Sequence, residues 1–329
     1  MSEILLTENV MSLRTTQNRM NISLVIPSYN EAESLPELHS WIVKVMSEHG
    51  FSYEVIFVDD GSTDETWAII RELQSRDPQV RGIKFRRNYG KSAALNTGFG
   101  AAEGDVVITM DADLQDSPDE IPELYSLIMS GSYDIISGWK KERHDPLTKT
   151  IPTKLYNWAT RVMTGIKLND MNCGLKAYRK EVIKNIEVYG EMHRYIPVLA
   201  KNVGFGRIGE KVVQHQARKY GVTKFGMSRF SRGLLDLMTI SFMGKFSKRP
   251  MHFFGTSGML FTVIGFICLL VLTIQKLFFN IPGIAERPLF FLGMLLVIVG
   301  IQLFIAGFLA ELISRSHAQR NEYAIAETI

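Results

Sequence analysis

Residues 105–115 read Asp105-Val106-Val107-Ile108-Thr109-Met110-Asp111-Ala112-Asp113-Leu114-Gln115. A short apolar run stops at two carboxylates separated by one residue. Runs of this length with β-branched residues form buried strands. In extended chain, alternate side chains face the same way, so Asp111 and Asp113 can share one hard cation, with Gln115 two residues further on. Oxygen ligands favour Mg²⁺ or Mn²⁺ over Zn²⁺, and such ions complete their shell with phosphate and water.

Similar runs lie on either side: Ile22–Pro27, Tyr53–Val58, Val80–Phe85 and a fifth beginning at Asp134. Helical patterns fall between them, near 34–48, 64–76, 91–102 and 119–130. Short apolar strands alternating with helices predict an α/β domain with a mostly parallel, Rossmann-like sheet flanked by helices. Ligands bind such sheets at the carboxyl ends of the strands. The residues at those ends are Pro27-Ser28-Tyr29-Asn30-Glu31, Asp59-Asp60-Gly61-Ser62-Thr63-Asp64, Arg86-Arg87-Asn88-Tyr89-Gly90-Lys91 and Asp111 to Gln115. Asp64 or Ser62 can cap the helix from Glu65, and Asp119 can open the one that follows. Capping leaves Asp59, Asp60, Asp111 and Asp113 without a reason to cluster, because like charges repel unless a cation joins them.

Two motifs mislead. Gly90-Lys91-Ser92 resembles the end of a P-loop, but the glycine required five residues before Gly90 is Phe85. Gly204 to Gly209 fits G-x-G-x-x-G, yet a strand pattern follows where a dinucleotide site needs a helix. The histidines show no metal-ligand spacing, and the two cysteines, Cys173 and Cys268, build neither a disulfide framework nor a thiolate metal site.

Composition varies along the 329 residues. Overall, 46% are hydrophobic and the net charge is only +3, which speaks against a nucleic-acid binder. Phe253–Ile274 and Leu289–Ala310 carry no charge, and at about 1.5 Å per residue each can cross a bilayer. The linker between them is short, which predicts an antiparallel hairpin. Glycines within both stretches fit close helix packing, and a homo-oligomer with it. Lys245, Lys248, Arg249, Arg315 and Arg320 flank the hairpin, against Lys276 and Arg287 in its loop. That bias predicts a multi-pass membrane protein with both ends in the cytoplasm. Residues 201–250 hold eleven Lys/Arg against Glu210 and Asp236. Phe230, Leu234, Leu235, Leu237, Met238, Ile240 and Phe242 within this zone predict an amphipathic juxtamembrane segment on an anionic leaflet. The expected organisation is a tail (1–20), a cytoplasmic domain (21–225), the juxtamembrane segment (226–250), two spans within 251–314 (about 253–274 and 289–311), and a cytoplasmic tail (315–329).

Taken in order, the four strand-end motifs and Asp170-Met171-Asn172-Cys173-Gly174, with Tyr178-Arg179 beyond, resemble family 2 glycosyltransferases of the GT-A fold. Arg218, Lys224 and the two spans make the chain similar to the polyprenyl-phosphate branch, which includes dolichol-phosphate mannose synthases and bactoprenol glucosyltransferases. The resemblance implies an inverting, metal-dependent hexosyltransferase. Its donor would be a nucleotide-diphospho-sugar, UDP-glucose or a related UDP-hexose first and GDP-mannose second. Its acceptor would be a polyprenyl phosphate such as undecaprenyl or dolichyl phosphate. By position, Pro27, Tyr29, Asn30, Glu31 and Asp59 would hold base and ribose, with Lys91 also on the donor side. Asp111, Asp113 and Gln115 would hold Mg²⁺ or Mn²⁺ on the diphosphate, and Arg218 and Lys224 would cover the phosphates. Lys140 and Arg143 would face the lipid phosphate, and Asp170 would orient the acceptor or act as a weak base, or else serve as a turn or cap residue. A phosphomonoester is largely a dianion at neutral pH, so it needs positioning more than a general base. Three other readings stay open: a sugar-hydroxyl acceptor, a transport-associated protein, and a nucleotide-sugar-binding module without catalysis.

Overall fold

A computed structural model describes residues 20–141, 160–216, 219, 250–279, 283–316 and 325–329. All but the end residues of the expected N-terminal tail and juxtamembrane segment lie outside these, as do Arg143, Arg218 and Lys224. The chain divides into two compact units, residues 1–238 with 321–329 and residues 239–320.

The first unit is built on one eight-stranded sheet: β1 (Ile22–Ser28), β2 (Tyr53–Asp59), β3 (Val80–Phe85), β4 (Val106–Thr109), β5 (Ile135–Trp139), β6 (Lys176–Arg179), β7 (Ile208–Val212) and β8 (Ile325–Thr328). The order is β7-β5-β6-β4-β1-β2-β3-β8. β1 pairs in parallel with β2 and β4, β2 with β3, and β5 with β7. β6 is antiparallel to both β4 and β5. The central strands are apolar along both faces because helices cover both. Helix α1 (Leu35–His49) buries Leu35, Leu38, Ile42, Val45 and Met46, the helical spacing of one apolar stripe. It ends at Gly50, whose left-handed amide caps Met46 and Ser47 carbonyls. Helices α2 (Thr66–Arg76), α3 (Lys91–Ala101) and α4 (Ile121–Met129) follow β2, β3 and β4. Ile22, Leu24, Ile26, Val55, Phe57, Val106 and Ile108 form the core with the helix stripes. Helices α5 (Lys180–Asn185) and α6 (Ile196–Asn202) lie between β6 and β7.

Two features depart from the sequence reading. β4 stops at Thr109, so Asp111 and Asp113 lie in a turn rather than on an extended strand, and Leu114 there has φ 61°. Residues 325–328, read as part of a tail, form β8 antiparallel to β3. Gly82 and Ile329 exchange backbone hydrogen bonds at 2.9 and 2.8 Å, and Trp67 Nε1 donates to Glu327 Oε2 at 3.0 Å. A four-residue strand is too short to show a period.

The second unit consists of α7 (Pro250–Phe279) and α8 (Pro288–Ser316). Met251–Phe278 and Pro288–Ala310 are long and apolar enough to cross a membrane. A Cβ on Gly258 or Gly265 would press on the carbonyls of Gly300 and Gly293, so glycine permits the close approach of these two helices.

Candidate active site

The carboxyl ends of β1 and β2 are braced together. Asn30, held at φ 55°, accepts the Thr63 amide on Oδ1 at 2.9 Å, and its own amide donates to Ser62 Oγ at 2.9 Å. Glu31 N donates to Thr66 Oγ1, and Ala32 N to Asp64 Oδ2. Asp64 also accepts the Thr66 amide at the start of α2, the capping expected of it. Ser117, not Asp119, accepts the amide that opens the short helix at Pro118–Glu120. Gly61 has φ 72°, and a side chain there would run into the Arg87–Asn88 backbone. Tyr29 is exposed at this rim, and Pro27 is the penultimate residue of β1.

The acidic residues separate into different tasks. Asp60 is buried and accepts the amides of Tyr89 at 2.7 Å and Gly90 at 2.9 Å, stapling the end of β2 to the loop after β3. Burial raises its carboxyl despite those two amides, and Asp59 adds to the rise. Asp59 Oδ1 accepts the Ser62 amide at 2.8 Å, whereas the fully buried Oδ2 has no partner among the described residues. An open buried acceptor is costly unless a ligand fills it. Uracil and guanine both present a ring N–H that can. Asp59→Asn turns this acceptor into a donor. A ligand that donates an N–H to Asp59 Oδ2 should bind this variant roughly 100-fold more weakly, as calorimetry with UDP or GDP reads, in line with the cost of an unmatched buried polar group.

Asp111 is partly exposed and forms an ion pair with Lys91, the first residue of α3. Burial would raise the Asp111 carboxyl, but the Lys91 ammonium, aided by Lys140 and Lys176, outweighs it and holds the group at about 2. Asp113 Oδ1 accepts the Gln115 amide at 3.2 Å. Asp170 is buried and accepts the Asn172 amide, as a turn residue does. Its own amide and that of Asn169 donate to Glu210, fixing the loop before β6. Gly174 in that loop lies against the Asp111 carboxylate.

The sequence reading assigned no role to Asp116, Lys176, Ser92, His193 or Cys173, which lie near this rim. Asp116 is buried and paired with Lys140 at 2.7 Å. Lys176, also buried, donates to the carbonyls of Met171 and Cys173. Its ammonium is pushed down by burial. Ser92 Oγ accepts the His193 amide and meets His193 Nδ1 at 3.1 Å. Burial, then Lys91 and Arg194, push the His193 imidazole far down and keep it neutral. The buried Cys173 thiol is pushed up to about 12, mainly by burial and Asp116, and is inert as a nucleophile. No sequence signal singled out Lys176, because β6 carries a charge at each end. Asp116 is the residue directly after the quoted acidic run.

The sequence pattern of Glycosyl transferase family 2 matches residues 23–187. The chain is also 38% identical, over 91% of its length and 89% of the other protein, to a dodecaprenyl-phosphate galacturonate synthase of Rhizobium johnstonii. It belongs to glycosyltransferase family 2. An undecaprenyl-phosphate 4-deoxy-4-formamido-L-arabinose transferase of Aeromonas hydrophila is 34% identical over 90% of this chain and 89% of that one. Among solved structures, mannosyl-3-phosphoglycerate synthase from Rubrobacter xylanophilus aligns with a TM-score of 0.54 at 17% identity, covering 69% of this chain and 75% of its own. Glucosyl-3-phosphoglycerate synthase from Mycobacterium tuberculosis, in complex with Mn²⁺ and UDP-glucose, aligns with a TM-score of 0.52 at 20% identity, covering 70% and 82%. The fold is therefore GT-A-like, a mostly parallel sheet flanked by helices, and both relatives are by name polyprenyl-phosphate enzymes.

No group of three or more His, Cys, Asp or Glu among the described residues can enclose a metal. The donor set suits an ion that takes two carboxylates from this family 2 chain and its other ligands from a diphosphate. The Lys91 ammonium already neutralises one of those carboxylates, so a positive charge is compatible with the place.

Proposed function

We propose that this chain transfers a sugar, with inversion, from a UDP-sugar to the phosphate of a polyprenyl phosphate. The observation that carries the reading is the rim itself. Asp59 offers an open buried acceptor, and the Asp111–Asp113 turn, with Lys91 beside it, stands at the end of β4. The names of the two relatives support a polyprenyl phosphate as acceptor. For the sugar we favour a UDP-hexose. Galacturonate in the name of one relative supports adding UDP-galacturonate to UDP-glucose as the first donors to try, with GDP-mannose after them.

Pro27, Tyr29, Asn30, Glu31 and Asp59 would bind base and ribose. Asp111, Asp113 and Gln115 would hold Mg²⁺ or Mn²⁺, which neutralises charge developing on the leaving diphosphate. The Mn²⁺ in the M. tuberculosis enzyme supports that ion class. Lys91 adds a fixed cation for the same charge. The acceptor phosphate attacks as a dianion, so the chain's task is to bring it in line and screen it from the diphosphate. We assign Arg143 to the acceptor phosphate and Asp170 to shaping the loop beneath the acceptor. Arg218 and Lys224 would cover the diphosphate. Gln216 N donates to Gln115 O at 3.1 Å, so the stretch leading to Arg218 starts beside the acidic turn. Lys224→Glu should then weaken UDP-sugar binding about 10-fold in detergent, where no anionic bilayer is present. Unchanged affinity by calorimetry would end that assignment.

We also place the catalytic unit and both chain ends in the cytoplasm. The flanking Lys/Arg bias supports this, and so does β8, which returns to the sheet after both apolar helices and so implies an even number of crossings. A reporter behind Ile329 should read cytoplasmic. The function itself is tested by incubating the detergent-solubilised chain with a panel of labelled nucleotide-sugars and a short polyprenyl phosphate. Formation of a lipid-linked sugar with an inverted anomeric centre is expected. Transfer only to sugar hydroxyls, or to nothing, would overturn it.

A further inference from the structure

The buried pair between Asp116 and Lys140 has a task of its own. Asp116 is fully buried and the Lys140 side chain is 11% exposed, with Nζ 2.7 Å from Asp116 Oδ1. The other oxygen, Oδ2, accepts the Asp111 amide at 3.3 Å. Asp116 also forms an isolated antiparallel bridge with His215, and the neighbouring Gln115 carbonyl takes the Gln216 amide. Residue 116 thus joins three segments: its carboxylate holds the turn that carries Asp111 and Asp113 and the end of β5 that carries Lys140, and its backbone pairs with the strand-like stretch after β7.

The pair is not interchangeable with a free lysine. A buried carboxylate without a counter-charge is strongly unfavourable, and removing one partner of a buried pair exposes that cost. Lys140 is what allows a third carboxylate beside two others. Its side chain is buried, with Nζ against Asp116 Oδ1. The ammonium is therefore committed inward, to the acidic turn.

We propose that Lys140 and Asp116 act together as positioning residues. Lys140 neutralises Asp116, Asp116 holds the Asp111 backbone, and the pair sets the angle at which the acidic turn presents Asp111 and Asp113 to the metal–diphosphate of the donor. This rests on the donor reading above and reassigns Lys140, which the family resemblance puts against the acceptor phosphate. A lysine can attract a phosphate but offers no bidentate fork, whereas here its single charge already has a partner.

The test compares Lys140→Met, Asp116→Asn, the double variant and Lys140→Arg in the full-length, detergent-solubilised chain. Three quantities are read: Mn²⁺-dependent UDP binding by calorimetry, the KM for polyprenyl phosphate against kcat, and the melting midpoint without ligands. Each single neutral variant should weaken Mn²⁺-dependent UDP binding about 10-fold and leave the acceptor KM within about 2-fold, a split that loss of stability alone does not produce. The double variant should bind UDP at least as well as either single one, because it removes both buried charges at once. Its melting midpoint should recover at least half of the roughly 5 °C lost by each single variant. Lys140→Arg should stay within about 3-fold of the parent for UDP. If Lys140→Met raises only the acceptor KM and leaves UDP binding unchanged, Lys140 is a phosphate ligand and the proposal is overturned. If the single losses simply add in the double variant, the two residues act separately and it is overturned as well. Failure of the parent chain to bind UDP with Mn²⁺ would instead refute the donor reading. The melting midpoints would still decide whether the pair is coupled.

Discussion

Replacing Asp113 by Asn should abolish sugar transfer, with kcat/KM down by about 10³-fold or more, while the chain still folds. The substitution keeps the shape and an acceptor oxygen for the Gln115 amide, which Asp113 Oδ1 binds at 3.2 Å, so the turn itself should persist. What is lost is one of two charges available to a divalent cation. About 4 kcal/mol of transition-state stabilisation corresponds to that factor, and a displaced metal at a leaving diphosphate accounts for an effect of that size. EDTA should remove the activity of the parent chain, and Mg²⁺ or Mn²⁺ should restore it. The variant's melting midpoint should match the parent's, whereas its Mn²⁺-dependent UDP binding should be lost. Full activity of Asp113→Asn, or full activity in EDTA, would remove the metal from the mechanism.

Asp113 and Asp111 were legible because a carboxylate at the end of an apolar run has few structural excuses. The same logic overcounted elsewhere. Asp60 looks like a member of the acidic cluster, but its oxygens hold the Tyr89 and Gly90 amides, contacts 29 and 30 residues away in sequence. A carboxylate paired with distant backbone amides is indistinguishable in sequence from one waiting for a metal. The central parallel strands were readable from their apolar runs, and the hairpin from its uncharged stretches. β6 was not: four residues, Lys176 to Arg179, with charges at both ends, inserted antiparallel between β4 and β5. Neither was β8, whose four residues gain their place from the β3 edge and from Trp67. The Asp116–Lys140 pair spans 24 residues and two strands. Only the sheet order brings it together, since β5 lies two strands from β4 across β6. Sequence spacing reads contacts along one strand or helix, and it is blind to contacts that depend on strand order.

Strand order also sets up the second large effect, at a residue with no functional group. Gly174 precedes β6 by two residues, and a Cβ built on it would stand 2.5 Å from Asp111 Oδ2 and 2.6 Å from Asp111 Cγ. The backbone there cannot easily retreat. The Gly174 carbonyl accepts Thr109 Oγ1 at 2.8 Å, and the Cys173 and Met171 carbonyls are held by the buried Lys176. The yielding partner is the Asp111 side chain, which must swing toward solvent by about 1 Å to reach ordinary contact, away from its place beside Lys91. A misplacement of that size near reacting groups costs on the order of 100-fold in rate. Gly174→Ala should therefore lose about 100-fold in kcat/KM and need more Mn²⁺ for half activation. Its melting midpoint should fall only slightly, because the strain relaxes through an exposed side chain. Gly100→Ala serves as the control. It lies in α3 with open space around the new methyl group, so it should keep full activity and gain about 0.5–1 kcal/mol of stability from helix propensity. If Gly174→Ala transfers sugar as fast as Gly100→Ala at every Mn²⁺ concentration, the Asp111 carboxylate does not need the position that Gly174 leaves open for it.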